Sequence, residues 1–164
     1  MNVVLLGVFP PPIGGVAIHV QRLAEYLLEQ GHSVEVLDYP GTEGDAKPGY
    51  VIRLPRTLPG KLWFIGRFAR RQAPDTVIHF HVAAMARFRW IAPLLFLMFR
   101  RQPKLITVHS GLFTGERQRW LAKMYLRWVL LGCHHIIPVT DELAGYLQGL
   151  GVPAQRMTVI LYYL

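Results

Sequence analysis

Two glycines stand where a strand-like run ends and a helical pattern begins, in FPPPIGGVAIHV at residues 9–20. Glycine lets backbone N–H groups approach an anion closely, and the first turn of a helix adds unpaired donors and partial positive charge. Gly14 and Gly15 are therefore candidate contacts for a diphosphate. The pattern matches neither G-x-x-x-x-G-K-[ST] nor G-x-G-x-x-G, and glycine pairs are common in turns. On its own it leaves an anion site and an ordinary turn equally open.

Histidines lie at the ends of two further strand-like runs. His79 and His81 are near the end of TVIHFHV, and His109 ends KLITVH, directly before Ser110 and Gly111. Alternation along a strand places His79 and His81 on the same side. Histidine binds sugar hydroxyls or phosphates and carries protons near neutral pH. His109 is the stronger functional candidate, whereas His79 is expected to hydrogen-bond within the core.

Several other chemistries lack the residues they need. The sequence has no C-x-x-C or H-E-x-x-H motif and no acidic residue close to these histidines, so no metal or other cofactor is expected. The absence of G-x-S-x-G gives acyl hydrolysis no support. The single cysteine, Cys133, is interpreted as core packing in a reducing compartment. His134 and His135 precede a strand and are interpreted as structural.

Short apolar strands alternate with helical patterns along the chain, which predicts one doubly wound α/β domain over residues 1–164 with a mainly parallel, Rossmann-like sheet. In such a sheet ligands bind beyond the carboxyl ends of the strands, where the candidate residues lie. The expected strands are 2–8, 33–38, 50–54, 76–82, 104–109, 135–139 and 157–161, and the expected helices are 16–30, 61–72, 88–101, 117–131 and one capped by Thr140.

The first predicted helix has an apolar and a polar face. Its apolar residues recur from Val16 through Val20 to Leu27, and His19 is assigned to the opposite, polar face. Gly31 is expected to end the helix in a left-handed conformation.

The net charge of +8 is concentrated in the middle of the chain. Residues 50–110 hold eleven basic residues against Asp75 alone, interleaved with aromatic side chains. Without an RNA-binding signature or zinc-finger spacing, this pattern favours an anionic membrane surface over nucleic acid, and a solvated basic face remains the alternative. The candidate membrane-contacting residues are Trp63, Arg67, Arg70, Arg71, Arg100 and Arg101.

The expected location is the cytoplasm, at the inner face of the membrane. The N-terminus has no basic region before its first apolar run, so no signal peptide is predicted. The longest apolar run, residues 90–99, is about half of the roughly 20 residues that a spanning helix needs and contains Pro93.

Several motifs together resemble the N-terminal domain of the retaining glycosyltransferases of family 4 (group 1), which have the GT-B fold. The opening PPPIGGVAIHVQRLAEYLLEQGHSVEVLD resembles the family's strand, Gly-Gly loop, amphipathic helix and G-H-x-V element. The resemblance continues at HFHVA (79–83), TVHSG (107–111) and PVTDELAGYLQGLGVPAQRMTVI (138–160). Their order and spacing are more specific than any one motif.

The resemblance implies a role for each candidate. Gly14 and Gly15 would contact the diphosphate of a nucleotide-sugar donor, and His109 would line the active site as the catalytic candidate. The residues expected to face the acceptor cleft are His81, Ser110, Gly111 and Thr140.

The resemblance also implies a two-domain enzyme. Its C-terminal domain, which binds most of the donor, is absent from this sequence, so the chain alone is expected to be inactive. The full-length protein would transfer a sugar with retention, without a required metal, to a lipid-linked or polysaccharide acceptor.

Two alternatives from other classes remain open. A non-catalytic module could recruit a separate catalytic subunit to the membrane. An NAD-binding oxidoreductase domain is disfavoured because Asp38, placed where an acidic ribose-binding residue would stand, has no G-x-G-x-x-G partner.

Overall fold

A computed structural model of the chain describes residues 1–11, 13–39, 48–82, 85–109 and 120–160. Strands and helices alternate along these residues, as the sequence predicts. The strands are β1 (Asn2–Gly7), β2 (Ser33–Asp38), β3 (Val51–Arg53), β4 (Val77–Val82), β5 (Lys104–Val108) and β6 (His135–Pro138). The helices are α1 (Gly15–Glu29), α2 (Leu58–Ala69), α3 (Met85–Met98), α4 (Trp120–Leu131) and α5 (Asp141–Gly149), followed by a short 3₁₀ helix at Ala154–Arg156.

The six strands form one sheet in the order β3-β2-β1-β4-β5-β6, and every neighbouring pair is parallel. From β1 the chain proceeds outward to β3, then returns to the other side of β1 and continues outward to β6. The strand order therefore reverses between β1 and β4, which makes the carboxyl ends of these two strands the expected ligand crevice. The predicted fold class, a doubly wound parallel α/β sheet, is confirmed.

Helices cover both faces of the sheet. On one face, Val20 and Ala24 of α1 pack against Val3, Leu5 and Val36. The other face carries the larger core, in which α2, α3 and α4 pack side by side over β1, β4, β5 and β6. Strands covered on both faces are apolar on both faces, which explains the nearly continuous hydrophobic runs in the sequence.

Two helices begin earlier than the sequence analysis predicts. Helix α2 starts at Leu58 rather than at residue 61, because Thr57 caps it by accepting a hydrogen bond from the Gly60 N–H at 3.3 Å. Helix α3 spans Met85–Met98 rather than 88–101. Arg67 lies inside α2 as predicted, but the other candidate arginines lie beyond the helices in which they were expected. Arg70 is the C-cap of α2, Arg71 follows it, and Arg100 and Arg101 come after the end of α3.

The end of α1 agrees with the prediction. Gly31 has a φ of +77°, its N–H donates to the Leu28 carbonyl at 2.9 Å, and the His32 N–H donates to the Leu27 carbonyl at 3.0 Å. These two bonds form a Schellman motif, which satisfies carbonyls that the helix leaves unpaired. The left-handed φ explains why glycine stands at this position.

The predicted last strand, 157–161, does not form within the described residues, and residue 161 lies outside them. Met157 makes one isolated parallel bridge to Ile136. Thr158 and Ile160 donate to the carbonyls of Ile136 and Pro138, each at 3.2 Å. A proline has no N–H to return, so Pro138 cannot complete a second bridge and the ladder does not continue.

Within the described ranges, none of the helices combines the length and the apolar character that crossing a membrane requires.

Candidate functional site

The loop after β1 is anchored to β2. The Phe9 N–H donates to Asp38 Oδ1 at 3.0 Å, and both residues are buried. The Tyr39 N–H donates to the Gly7 carbonyl at 2.8 Å, which ties the ends of the two strands together. The Asp38 carboxylate therefore binds the backbone of this loop and fixes the direction in which the chain approaches Gly14.

Gly14 is the N-cap of α1, with an extended backbone (φ −169°, ψ 161°) that any residue adopts. A Cβ added to Gly14 or Gly15 would meet no described atom within 4 Å. Neither the backbone nor the packing of the described residues therefore requires glycine here. What glycine provides is unobstructed access to the first turn of α1, which contains no acidic residue. This arrangement suits an anion, and the diphosphate site stays a prediction.

Four histidines meet at the carboxyl edge of the sheet. His79 and His81 lie on the same side of β4, as predicted, with ring centroids 4.2 Å apart. His109, directly after β5, brings its Nε2 within 3.2 Å of His81 Nδ1. His19 from α1 completes the cluster, with its ring centroid 5.3 Å from that of His81 and 5.1 Å from that of His109. The cluster joins three elements that are far apart in sequence.

The assignment of His19 to the solvent-facing side of α1 is wrong. Its ring is half-buried against His81 and His109. The sequence contains the relevant pattern, since position 19 follows Val16 by three residues and precedes Leu23 by four, which places it on the apolar stripe of the helix. Its polar type alone suggested a place among the charged residues of the helix.

His79 has the structural role that the sequence analysis predicts. Its Nε2 lies 2.8 Å from Thr107 Oγ1 on the neighbouring strand, and both side chains are buried. The hydrogen bond holds the His79 ring in place next to the His81 ring.

Burial keeps the cluster uncharged at neutral pH. Desolvation, reinforced by His19 and His109, lowers the pKa of His79 to about 3. Desolvation, reinforced by His19, lowers the pKa of His109 to about 4. The pKa of His81 falls well below its ordinary value for the same reason, and burial also lowers the pKa of His19. At pH 7 the cluster therefore offers neutral imidazoles, which orient hydroxyl or phosphate oxygens or bind metals.

The remaining cleft candidates are placed as follows. Thr140 ends the turn after β6, where its hydroxyl accepts a hydrogen bond from the Leu143 N–H at 3.1 Å, so the predicted helix cap is confirmed. Its role towards an acceptor stays a prediction. Ser110 and Gly111 lie outside the described residues.

His134 and His135 have structural contacts at the opposite edge of the sheet, as predicted. His134 Nδ1 accepts a hydrogen bond from the Lys104 N–H at 3.1 Å, and His135 Nε2 lies 2.8 Å from Thr158 Oγ1. Cys133 is buried in the larger core, and burial raises the pKa of its thiol to about 12. A thiol with that pKa is a poor nucleophile, which agrees with a packing role.

The candidate membrane residues are exposed. Trp63 is 66% exposed, and the Arg67 guanidinium lies 5.7 Å from the centroid of its ring. Arg70, Arg71 and the Arg100–Arg101 pair are also exposed. The sequence analysis missed a further apolar surface on α4, which belongs to the same helix layer. Its exposed residues are Trp120, Leu121, Met124 and Trp128.

The solved structures that share this fold include an alpha-glucosyltransferase in complex with UDP-glucose and DNA containing an abasic site, which aligns over nearly the whole chain. The TM-score is 0.62 at 12% sequence identity, and the alignment covers 99% of this chain and 42% of that chain. The present chain thus spans less than half of that protein's length. No curated protein sequence matches this chain significantly.

The model of the family described as Glycosyltransferase Family 4 matches residues 13–161. The matched range begins at the Gly14–Gly15 loop and includes His81, His109 and Thr140. The predicted recognition, the N-terminal Rossmann-like domain of a GT-B glycosyltransferase, is confirmed by this match together with the shared fold. The chain belongs to Glycosyltransferase Family 4.

Proposed function

We propose that this chain is the acceptor-binding N-terminal domain of a retaining glycosyltransferase that uses a nucleotide-diphosphate sugar. The observation that carries the proposal is the meeting of α1 with the carboxyl ends of β4 and β5. His19, five residues after Gly14, lies against His81 and His109. This contact supports the proposal that the candidate diphosphate loop and the candidate catalytic histidine border one site, although they are more than 90 residues apart in sequence.

The donor would place its diphosphate against Gly14, Gly15 and the first turn of α1. The backbone N–H groups there lack carbonyl partners one turn earlier, and they carry the partial positive charge of the helix end. The likeness to a solved alpha-glucosyltransferase in complex with UDP-glucose supports a nucleotide-sugar donor. The other wall of the cleft would belong to a C-terminal domain.

His109 is the proposed catalytic residue and would contact the transferred sugar or the acceptor. Its pKa of about 4 makes it a neutral hydrogen-bonding group at pH 7 rather than a cation. His81 acts as a positioning residue, because its Nδ1 lies 3.2 Å from His109 Nε2 and fixes the orientation of that ring. Transfer is proposed to need no metal for catalysis, and the imidazoles of the cluster do not suit Mg²⁺, whose sites use oxygen ligands.

The acceptor is proposed to be lipid-linked or a polysaccharide, with the protein peripheral on the inner face of a membrane. The support is the outer surface of α2 and α4, where Trp63 and Trp128 are exposed and the arginines after α2 and α3 add positive charge. Aromatic and basic side chains together suit anionic headgroups. Nucleic acid is not proposed as a partner, and the DNA in the solved complex is a property of that protein.

The main competing function is a non-catalytic module that brings a separate catalytic subunit to the membrane. The same exposed surface would support it. An oxidoreductase role has less support, because Asp38 is fully buried and accepts the Phe9 N–H instead of facing a ribose.

A donor screen on the full-length protein tests the proposal. We expect transfer from one UDP- or GDP-sugar to a lipid-linked or saccharide acceptor, with retention and without added metal. Vesicle binding should increase with anionic lipid and decrease when Arg67, Arg70 and Arg71 are replaced by glutamate. Vesicle binding without turnover of any donor would favour the recruiting module, and calorimetric binding of NAD without a response to sugar nucleotides would favour the oxidoreductase.

A further inference from the structure

The geometry points to a second property of the carboxyl edge: we propose that His19, His81 and His109 form a binding site for a transition-metal dication of the Zn²⁺ class. The proposal concerns metal binding alone and holds whether or not the protein transfers sugars. It also departs from the sequence, whose lack of metal-binding motifs predicts no such site.

The first argument is distance. One ring nitrogen from each of the three histidines lies within 4.8 Å of the other two. The closest pair, His81 Nδ1 and His109 Nε2, is 3.2 Å apart. A tetrahedral site with zinc–nitrogen bonds of about 2.0–2.1 Å separates its ligand nitrogens by about 3.3 Å. The His81–His109 pair already has this spacing, and the third nitrogen needs to come closer by at most about 1.5 Å.

The second argument is an unsatisfied atom. His81 is 6% exposed, and its Nε2 is buried without a hydrogen-bond partner among the described residues. A buried polar atom left in this state costs about 1–3 kcal/mol. In the cluster, His81 Nδ1 lies within hydrogen-bonding distance of His109 Nε2, and the described residues satisfy only this one nitrogen of His81. An ion bound at Nδ1 would replace this weak contact with a ligand bond to a side chain that has no other partner among the described residues.

The three imidazole ligands determine which class of metal ion the site can bind. Three imidazoles suit Zn²⁺, Ni²⁺ and Cu²⁺, whereas Mg²⁺ and Ca²⁺ require oxygen ligands. His81 lies on β4 and His109 directly follows β5, and the pairing of His81 with Thr107 fixes the register of these two strands. His19 and His109 are only half-buried, so an ion can enter from the surface and take a fourth ligand from solvent. Three histidines with one open position form a recognised zinc site.

The test is metal binding by the full chain, prepared with chelator and without a polyhistidine tag. Calorimetry with ZnCl₂ should give one ion per chain, and Co²⁺ should produce the visible absorption of a tetrahedral complex. MgCl₂ should give no binding. His19→Gln and His109→Gln should each weaken Zn²⁺ binding by about 100-fold or more, since changes in outer-shell partners alone cost 10–100-fold. His135→Gln, a histidine change at the other edge of the sheet, is the matched control and should bind as the parent does.

Several results would overturn the site. These are no Zn²⁺ binding, comparable binding of Mg²⁺, loss of binding in only one of the two cluster variants, or an equal loss in His135→Gln. Circular dichroism would confirm that each variant is folded. If His109→Gln does not fold, Zn²⁺ binding by the His19→Gln variant, whose substitution is at a half-buried position, tests the site alone.

Discussion

Histidines stand at both edges of the β4–β5–β6 half of the sheet, and the two edges use them differently. At the carboxyl edge, the buried His79 and His81 lie together with the half-buried His109 and His19. At the amino edge, within the described ranges, the ring of His134 contacts the Lys104 N–H and that of His135 contacts Thr158, and both histidines lie nearer the surface. The same residue type therefore forms a shared cluster at one edge and isolated contacts at the other.

The difference follows from the direction of the strands. At the carboxyl edge the chain leaves β1 and β4 in opposite directions along the sheet, which opens a crevice that side chains from several elements border. At the amino edge the connection from α4 into β6 is short, and His134 sits in it with its ring nitrogen on the backbone of Lys104. Strand direction, more than residue type, determines which histidines are candidates for chemistry.

The largest predicted effect contrasts one histidine from each edge. His109→Gln in the full-length protein should reduce turnover by about 100-fold, the usual result of removing one group that contacts a reacting sugar or phosphate. His135→Gln should leave turnover within about twofold of the parent. Steady-state kinetics with the donor identified by screening would measure both, and similar rates in the two variants would remove the functional distinction between the edges.

The free energy of unfolding should depend on pH because of the histidines in the carboxyl-edge cluster. The pKa values of His79 and His109 are lowered in the folded protein to about 3 and about 4, so these groups stay neutral while the unfolded chain takes up protons from about pH 6.5. The free energy of unfolding should therefore decrease as the pH falls below about 6.5, by about 1.4 kcal/mol per pH unit for each such histidine.

Urea unfolding of the metal-free protein between pH 7 and pH 5 would measure this slope. His109→Gln should reduce this slope by about 1.4 kcal/mol per pH unit, because the unfolded variant takes up one proton fewer. A stability that stays constant over this range would show that the rings are not kept neutral by the fold.

The smallest predicted effect compares two threonines with equal hydrogen-bond distances. Thr107 Oγ1 and Thr158 Oγ1 each lie 2.8 Å from a histidine Nε2, that of His79 in the buried carboxyl-edge pair and that of His135 in the exposed amino-edge pair. Thr107→Val should lower the free energy of unfolding by about 1–3 kcal/mol, because it leaves a buried nitrogen without a partner. Thr158→Val should cost less than about 0.5 kcal/mol, since water replaces the hydroxyl.

Denaturant unfolding of both valine variants against the parent would check this pair. Equal costs would mean that the two edges do not differ in burial as described.

The fold could be predicted from the sequence almost completely where local patterns agree with tertiary packing. The alternating run at β2 gave both of its boundaries, and Thr140 with Asp141 and Glu142 marked the start of α5. Helix α2 was misplaced by three residues because hydrophobic periodicity continues past its end, while the capping threonine, Thr57, stands in a stretch rich in proline. The last strand was over-predicted because a missing N–H at Pro138 is a property of its neighbour, not of the segment itself.

The site was predicted only in part, because one of its residues depends on how elements far apart in sequence pack together. Strand alternation and strand ends identified His81 and His109, since those arguments need no knowledge of other elements. His19 was missed because its position depends on how α1 crosses the carboxyl edge, and residue type pointed to solvent. The metal-site proposal depends on that one residue, so it could only follow from the three-dimensional arrangement.

The central claim is that the first turn of α1 holds the donor diphosphate, and Gly15→Asp in the full-length protein tests it most directly. The matched control is Gly145→Asp, which adds the same charge at an exposed helical glycine that likewise has no described neighbour within 4 Å of an added Cβ. Calorimetric donor binding and turnover should be lost in Gly15→Asp and retained in Gly145→Asp, with both proteins folded. Unchanged donor binding and activity in Gly15→Asp would contradict the claim.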